Sequence, residues 1–96
     1  MDAVTDHKSI IAKVAGRVQG VGYRYTAVHV ANELGLVGWV RNVPDGSVET
    51  RVQGDEQVLE QYVVFLEQGP RAARVRSVDV HTVELDPSLD AFTVRT

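Results

Sequence analysis

The chain reads Gly16-Arg17-Val18-Gln19-Gly20-Val21-Gly22-Tyr23-Arg24 where a strand-like run passes into a helix-like run. Glycines let the backbone curl through positive φ, so that several N–H groups can point at one spot. The helix that follows adds the positive end of its dipole there, and Arg24 adds a planar cation that suits phosphate. The stretch predicts a cradle for one anion; a Gly-rich turn with a surface arginine is the alternative interpretation.

The glycine spacing excludes two familiar nucleotide-binding loops. Gly16 is not followed at the required interval by Gly-Lys-Ser/Thr, and Gly20-Val21-Gly22 lacks the third glycine of a dinucleotide-binding fingerprint. The expected ligand is therefore a single small phosphate group and not a nucleotide.

Alternation and helical periodicity predict the elements on both sides of this loop. A strand over Lys8 to Ala15 precedes it, and a helix over Tyr23 to Leu34 follows it. Next come a strand over 36–42, a turn at 43–46, a strand over 47–53, a helix that begins at 54–55 and ends at 69–70, a strand over 74–83 and a short strand over 92–94.

The element order β-α-β-β-α-β, with a short final strand, is typical of the α+β ferredoxin-like split βαβ fold. This fold predicts an antiparallel sheet with two helices on one face. Residues 1–7 are expected to form a flexible N-terminal tail, which leaves residues 8–96 as a single domain.

Composition narrows the function classes. The 96 residues are 44% hydrophobic and 24% charged, with a net charge of −3 and no cysteine. The lack of cysteine excludes disulfides, thiolate metal sites and cysteine nucleophiles, and the negative charge disfavours binding to nucleic acid or anionic membranes. No signal peptide and no membrane-spanning segment are expected. Arg17, Arg24 and Arg41 can still make one phosphate site locally positive.

A second segment joins the glycine loop in a longer pattern. It reads Gly38-Trp39-Val40-Arg41-Asn42 and is followed by Gly46, Val48 and Gly54. Alone, Asn42 would be an ordinary turn residue. Together, the two segments resemble the acylphosphatase family in order and separation, over nearly the whole chain after residue 7. Tyr23 departs from the family's usual Phe or Met, and the chain ends in Val94-Arg95-Thr96 where many relatives have an aromatic residue.

The resemblance implies an acylphosphatase, which hydrolyses the carboxyl–phosphate bond of small acyl phosphates to a carboxylate and inorganic phosphate. It implies two catalytic residues: Arg24, which holds the phosphoryl oxygens, and Asn42, which orients the attacking water. The implied phosphate-binding loop comprises Gly16, Arg17, Val18, Gln19, Gly20, Val21, Gly22, Tyr23 and Arg24, with Gln19 and Arg17 as framework or rim. No metal and no cofactor is implied, and we expect a cytoplasmic monomer without nucleic-acid or membrane partners.

Two other functions remain open from the residues. A non-catalytic phosphate-ligand-binding or regulatory ferredoxin-like domain would more often have lost Arg24 or Asn42. An RNA-binding module of the same topology requires aromatic residues on the central strands and a basic sheet. The first predicted strand instead carries Ile10, Ile11 and Val14, and the net charge is negative.

Overall fold

A computed structural model describes residues 6–96 of the chain, so most of the expected 1–7 tail lies outside the described residues. The first strand begins at His7, one residue before the predicted start. The elements are β1 (His7–Arg17), α1 (Tyr23–Glu33), β2 (Val37–Asn42), β3 (Val48–Asp55), α2 (Glu56–Gln68), β4 (Arg74–Val83) and β5 (Phe92–Arg95). All the predicted elements are present, with ends that differ by at most two residues.

The five strands form one sheet in the order β4-β1-β3-β2-β5, which confirms the ferredoxin-like fold. The pairs among β1, β2, β3 and β4 are antiparallel, but β5 runs parallel to β2, so the sheet is mixed and the prediction of an antiparallel sheet is wrong at this edge. The reason is the connection over residues 84–91, which carries the chain from one sheet edge to the other. β5 therefore arrives in the same direction as β2.

The core lies between one sheet face and the two helices. Alternate residues of β1 point there, and Ile10, Ala12 and Val14 are all buried. The helices cover this face with Ala27 and Ala31 from α1 and with Leu59, Tyr62 and Leu66 from α2. Alternate residues of β3 and of the middle of β1 are buried, and so is one face of each helix. These two periods define the arrangement of the sheet and helix layers.

A buried polar pair lies inside this core and is fully bonded. Thr50 Oγ1 donates to Trp39 O at 2.8 Å and lies 2.9 Å from Tyr62 Oη. Since the one threonine proton goes to the carbonyl, the tyrosine hydroxyl donates to Thr50. Burial raises the pKa of Tyr62 above its ordinary value. Both hydroxyls are thus satisfied, and the pair ties α2 to the middle of the sheet.

Helix α2 begins where the sequence predicts. Asp55 is the N-cap, and its carboxylate accepts from Gln57 N at 2.9 Å and from Val58 N at 3.3 Å. The helix ends at Gly69, whose φ of 65° suits glycine. Within residues 6–96, neither helix has both the length and the apolar character that a membrane span requires.

Candidate active site

The glycine loop and Asn42 meet at one end of the sheet. β1 and β2 both pair antiparallel with β3, so they run in the same direction and their carboxyl ends lie at the same edge. The loop leaves the end of β1, and Asn42 ends β2. Between them is a cavity of about 270 Å³ lined by Val18, Gly20, Gly22, Tyr23, Arg24, Tyr25, Asn42 and Val94.

Glycine is required at the entrance to the loop for steric reasons. Gly16 lies at a β-bulge between β1 and β4 and has φ 133°. A Cβ on Gly16 would lie 2.1 Å from Arg74 O, which is far inside contact distance. The absent side chain therefore lets β1 approach β4 closely where the loop begins.

Inside the loop, glycine is required for conformational reasons. Gly20 and Gly22 have φ values of 74° and 81°, in the left-handed region. A Cβ at either position would meet nothing within 4 Å, so space is not the constraint there. The backbone turn itself favours glycine, because other residues rarely adopt positive φ.

The loop carries backbone donors that have no partner in the described chain. Among residues 6–96, the backbone N–H groups of residues 18–25 donate to no backbone or side-chain acceptor. Helix α1 begins here after Gly22, with no side-chain cap and no acidic residue in its first turn. Arg24 also forms no ion pair with any carboxylate of the described chain. Free amides, a helix N-terminus and an unpaired guanidinium together favour a small anion.

Gln19 holds the loop against the β2–β3 hairpin. Its Nε2 donates to Val43 O and to Ser47 O, both at 2.8 Å, across 24 and 28 residues of sequence. Both carbonyls flank the turn that follows Asn42. Gln19 is therefore a framework residue that connects the two halves of the site, and it does not line the cavity itself.

The other loop residues outside the cavity lining have different surroundings. Arg17 is exposed at the end of β1, and Val21 is partly buried and packs against the core. Arg41 precedes Asn42 on β2, so the two side chains point to opposite faces of the sheet. Arg41 Nε donates a hydrogen bond to Glu49 Oε1 at 2.7 Å. Of the three arginines that the sequence offers to make the phosphate site positive, only Arg24 lines the cavity.

Tyr23 is accommodated in the core beneath Arg24. Its ring is 1% exposed, and its hydroxyl donates to Leu66 O at 2.7 Å. Its centroid lies 5.6 Å from that of Phe65 on α2. Burial raises the pKa of Tyr23, so the phenol stays a donor. Tyr23, which replaces the family's usual Phe or Met, thus has a hydrogen-bonded hydroxyl and anchors the first turn of α1.

Asn42 carries an unpartnered acceptor at the cavity. Its Oδ1 is the one buried side-chain polar atom within residues 6–96 that has no hydrogen-bond partner. A buried amide oxygen without a partner is unfavourable, so such an atom calls for a reason. Asn42 is also a lining residue of the cavity, so the unsatisfied amide belongs to this site.

The turn after Asn42 is fixed by its own polar contacts. Asp45 accepts from Ser47 N at 2.9 Å and from Ser47 Oγ at 2.6 Å, and it pairs with Lys13 Nζ at 2.8 Å. The bonds from Lys13 and Ser47 hold the pKa of Asp45 below its ordinary value. The carboxylate is thus committed to the turn and is not a free base for the cavity.

Two lining residues were not identified from the sequence. Tyr25 follows Arg24 in α1, and Val94 lies on β5 beside Val40 of β2. The neighbouring Arg24 was a signal for Tyr25, because adjacent helix residues can border one cavity. Nothing local in the sequence indicated Val94. Across the described chain, no three His, Asp or Glu side chains converge as a metal site would need.

Comparison with known proteins agrees with this site. Residues 10–94 match the acylphosphatase family. A relative named acylphosphatase from Thermus thermophilus is 52% identical over 88% of this chain and 96% of its own, and one from Methylococcus capsulatus is 44% identical over 91% and 95%. The solved acylphosphatase of Bacillus subtilis superposes with a TM-score of 0.89 at 31% identity, over 93% of this chain and 99% of its own. The resemblance noted in the two sequence segments is thus confirmed, and these matches support an acylphosphatase enzyme. The chain belongs to the acylphosphatase family.

Proposed function

We propose that this protein hydrolyses the carboxyl–phosphate bond of small acyl phosphates, releasing a carboxylate and inorganic phosphate. Arg24 and the loop over residues 16–24 bind the phosphoryl group, and Asn42 orients the attacking water. The observation that carries the proposal is the buried, unpartnered Oδ1 of Asn42, a residue that lines the same cavity as Arg24 and the glycine loop. Family membership supplies the reaction class.

The phosphoryl group is bound by charge and by converging donors. Three phosphoryl oxygens need several donors at once, and the unpaired backbone N–H groups of the glycine loop can supply them. Arg24 adds two parallel N–H groups and a permanent positive charge. Donors already oriented in the resting protein need no reorganisation when negative charge shifts during the reaction.

Asn42 takes part by holding water. Its Oδ1 accepts a hydrogen bond from one O–H of the water, which turns a lone pair of the water oxygen toward phosphorus. The amide is too weak a base to remove the proton, so a phosphoryl oxygen receives it. The water oxygen forms its bond to phosphorus as the bond to the acyl oxygen breaks. The leaving carboxylate needs no general acid, since its conjugate acid has a pKa of about 4. Such a loose transfer depends mainly on positioning and charge stabilisation.

The same reasoning extends to requirements outside the cavity. We propose that turnover needs no metal and no cofactor, because the donors and Arg24 already meet the charge of the phosphoryl group. We also propose a monomeric protein located in the cytoplasm. Gel filtration at the mass of one chain and fractionation of cells test these two points.

The test is hydrolysis of benzoyl phosphate in EDTA by the native chain, Asn42→Ala and Asn32→Ala. Asn32 is an exposed asparagine of α1 and is the matched control. Asn42→Ala is expected to lower kcat by about 100-fold, because a mispositioned water reacts poorly. Its inhibition constant for inorganic phosphate should stay near that of the native chain, since Oδ1 offers the anion nothing.

Two results would contradict the proposal. A folded Asn42→Ala variant with native kcat would remove Asn42 from catalysis. A native chain that hydrolyses benzoyl phosphate only after a divalent ion is added would overturn the metal-free reaction. The Asn32→Ala control should match the native chain in both rate and phosphate inhibition.

A further inference from the structure

We infer that Tyr25 and Val94 form the surface that contacts the acyl group of the substrate. The inference rests on the proposed function and adds to it the residues that contact the acyl group. Neither residue belongs to the two sequence segments that identify the family.

Both residues are unusually exposed for their types. Tyr25 is 82% exposed and Val94 is 47% exposed, yet both line the cavity that holds Arg24 and Asn42. The other apolar lining residues, Val18 and Tyr23, are each 1% exposed and belong to the core. The exposed apolar area of the cavity is thus concentrated in two side chains that do nothing for the core.

Their placement beside the phosphate site is set by rigid elements. Tyr25 is adjacent to Arg24 in α1, and Tyr23 on the same turn is anchored to Leu66 O. Val94 is held by the parallel pairing of β5 with β2. Its partner there is Val40, which precedes Asn42 by two residues on β2. Helix α1, which carries Arg24, and strand β5, which pairs with the strand that ends at Asn42, therefore each contribute one apolar side chain beside the phosphate site.

The reaction geometry directs the acyl group outward. An in-line displacement places the leaving carboxylate on the side of phosphorus opposite the water, and the polar end of the cavity is occupied by the phosphoryl group. The acyl group must then extend toward the mouth, where the remaining lining is apolar. A tyrosine ring offers a large contact area with few rotatable bonds, so little entropy is lost when an acyl group packs on it.

The size of the effect follows from ring contacts. An aromatic pair contributes about 0.5–1.5 kcal/mol beyond area burial, which corresponds to about a 2- to 10-fold change in kcat/KM. An acetyl group is too small to gain this contact. Removal of the ring should therefore reduce turnover of the aromatic substrate more than turnover of the small one.

The experiment measures kcat/KM for benzoyl phosphate and for acetyl phosphate with the native chain, Tyr25→Ala, Tyr25→Phe and Val94→Ala. Val64→Ala is the control, because Val64 is 51% exposed on α2 and lies outside the cavity lining. Tyr25→Ala should lower the benzoyl-to-acetyl ratio by about 2- to 10-fold. Tyr25→Phe should keep the ratio, Val94→Ala should lower it less, and Val64→Ala should not change it.

Phosphate inhibition separates this inference from the proposed function. The inhibition constant for inorganic phosphate should be the same in all five proteins, since the phosphoryl site is untouched. If the native chain hydrolyses both substrates and Tyr25→Ala keeps the native ratio, the inference is wrong and the proposed function stands. If the native chain hydrolyses neither substrate, the proposed function is wrong and this inference fails with it.

Discussion

Removal of the Gln19 side chain should disturb the site by separating its two halves. In the native chain Gln19 Nε2 donates to Val43 O and Ser47 O at 2.8 Å each, and these are its bonds to the hairpin that carries Asn42. A hydrogen bond contributes about 0.5–1.5 kcal/mol net, so Gln19→Ala should lower the free energy of unfolding by about 1–3 kcal/mol. For a domain of this size the melting temperature should fall by about 4–8 °C per kcal/mol.

A structurally similar glutamine at the opposite end of the sheet provides the control. Gln53 Nε2 donates to Asp86 O at 3.0 Å, and Gln53 Oε1 accepts from Asp86 N at 2.8 Å. Gln53 pairs with Val37 at the start of β2, whereas Asn42 is at its end. Gln53→Ala should therefore reduce stability by a similar amount and leave turnover of the folded protein unchanged.

The assay combines urea denaturation with initial rates at a temperature where every variant is folded. Gln19→Ala should lower kcat by about 10- to 100-fold, because small displacements of a positioned water reduce the rate strongly. Phosphate inhibition should weaken only slightly, since the donors of the loop remain. Equal kcat for Gln19→Ala and Gln53→Ala, at equal loss of stability, would refute the reasoning and leave Gln19 with a purely structural role.

Three further predictions concern single features of the site and core. Arg24→Lys should lower kcat/KM by about 10²–10³-fold and weaken phosphate inhibition, because lysine lacks the planar two-point contact; native kinetics in this variant would place Arg24 outside the site. Gly20→Ala should weaken phosphate inhibition strongly and lower the melting temperature only slightly, because a Cβ there meets no atom within 4 Å but disfavours the φ of 74° that shapes the loop. Unchanged inhibition would argue against the phosphate cradle. The urea midpoint should fall above about pH 10, because tyrosines of the unfolded chain ionise there. In the native chain, burial raises the pKa of Tyr23 and of Tyr62, so both keep their protons. Stability from these groups is thus complete below that pH and is lost above it, and a fall of the same size in Tyr62→Phe would contradict this origin.

Much of the fold was predictable because its signals are local. Alternation in β1 and the run of apolar residues in α2 reflect the periods of strand and helix, and Asp55 caps α2 as its position predicts. The parallel pairing of β5 was not predictable in this way. A four-residue strand carries no mark of its partner or direction, and both follow from where the 84–91 connection crosses the sheet.

By itself, the sequence determined the order of the elements, the glycine loop before α1, and Arg24 and Asn42 as the candidate catalytic pair. These depend on backbone conformation and on residue types at short range, which a chain expresses locally. Only the tertiary structure decided that Gln19 reaches the hairpin carbonyls, that Asn42 Oδ1 is buried without a partner, and that Tyr25 and Val94 border the same cavity. Each of these joins residues far apart in sequence, so each depends on strand register and helix packing, which are set when the whole domain folds and not by any segment alone.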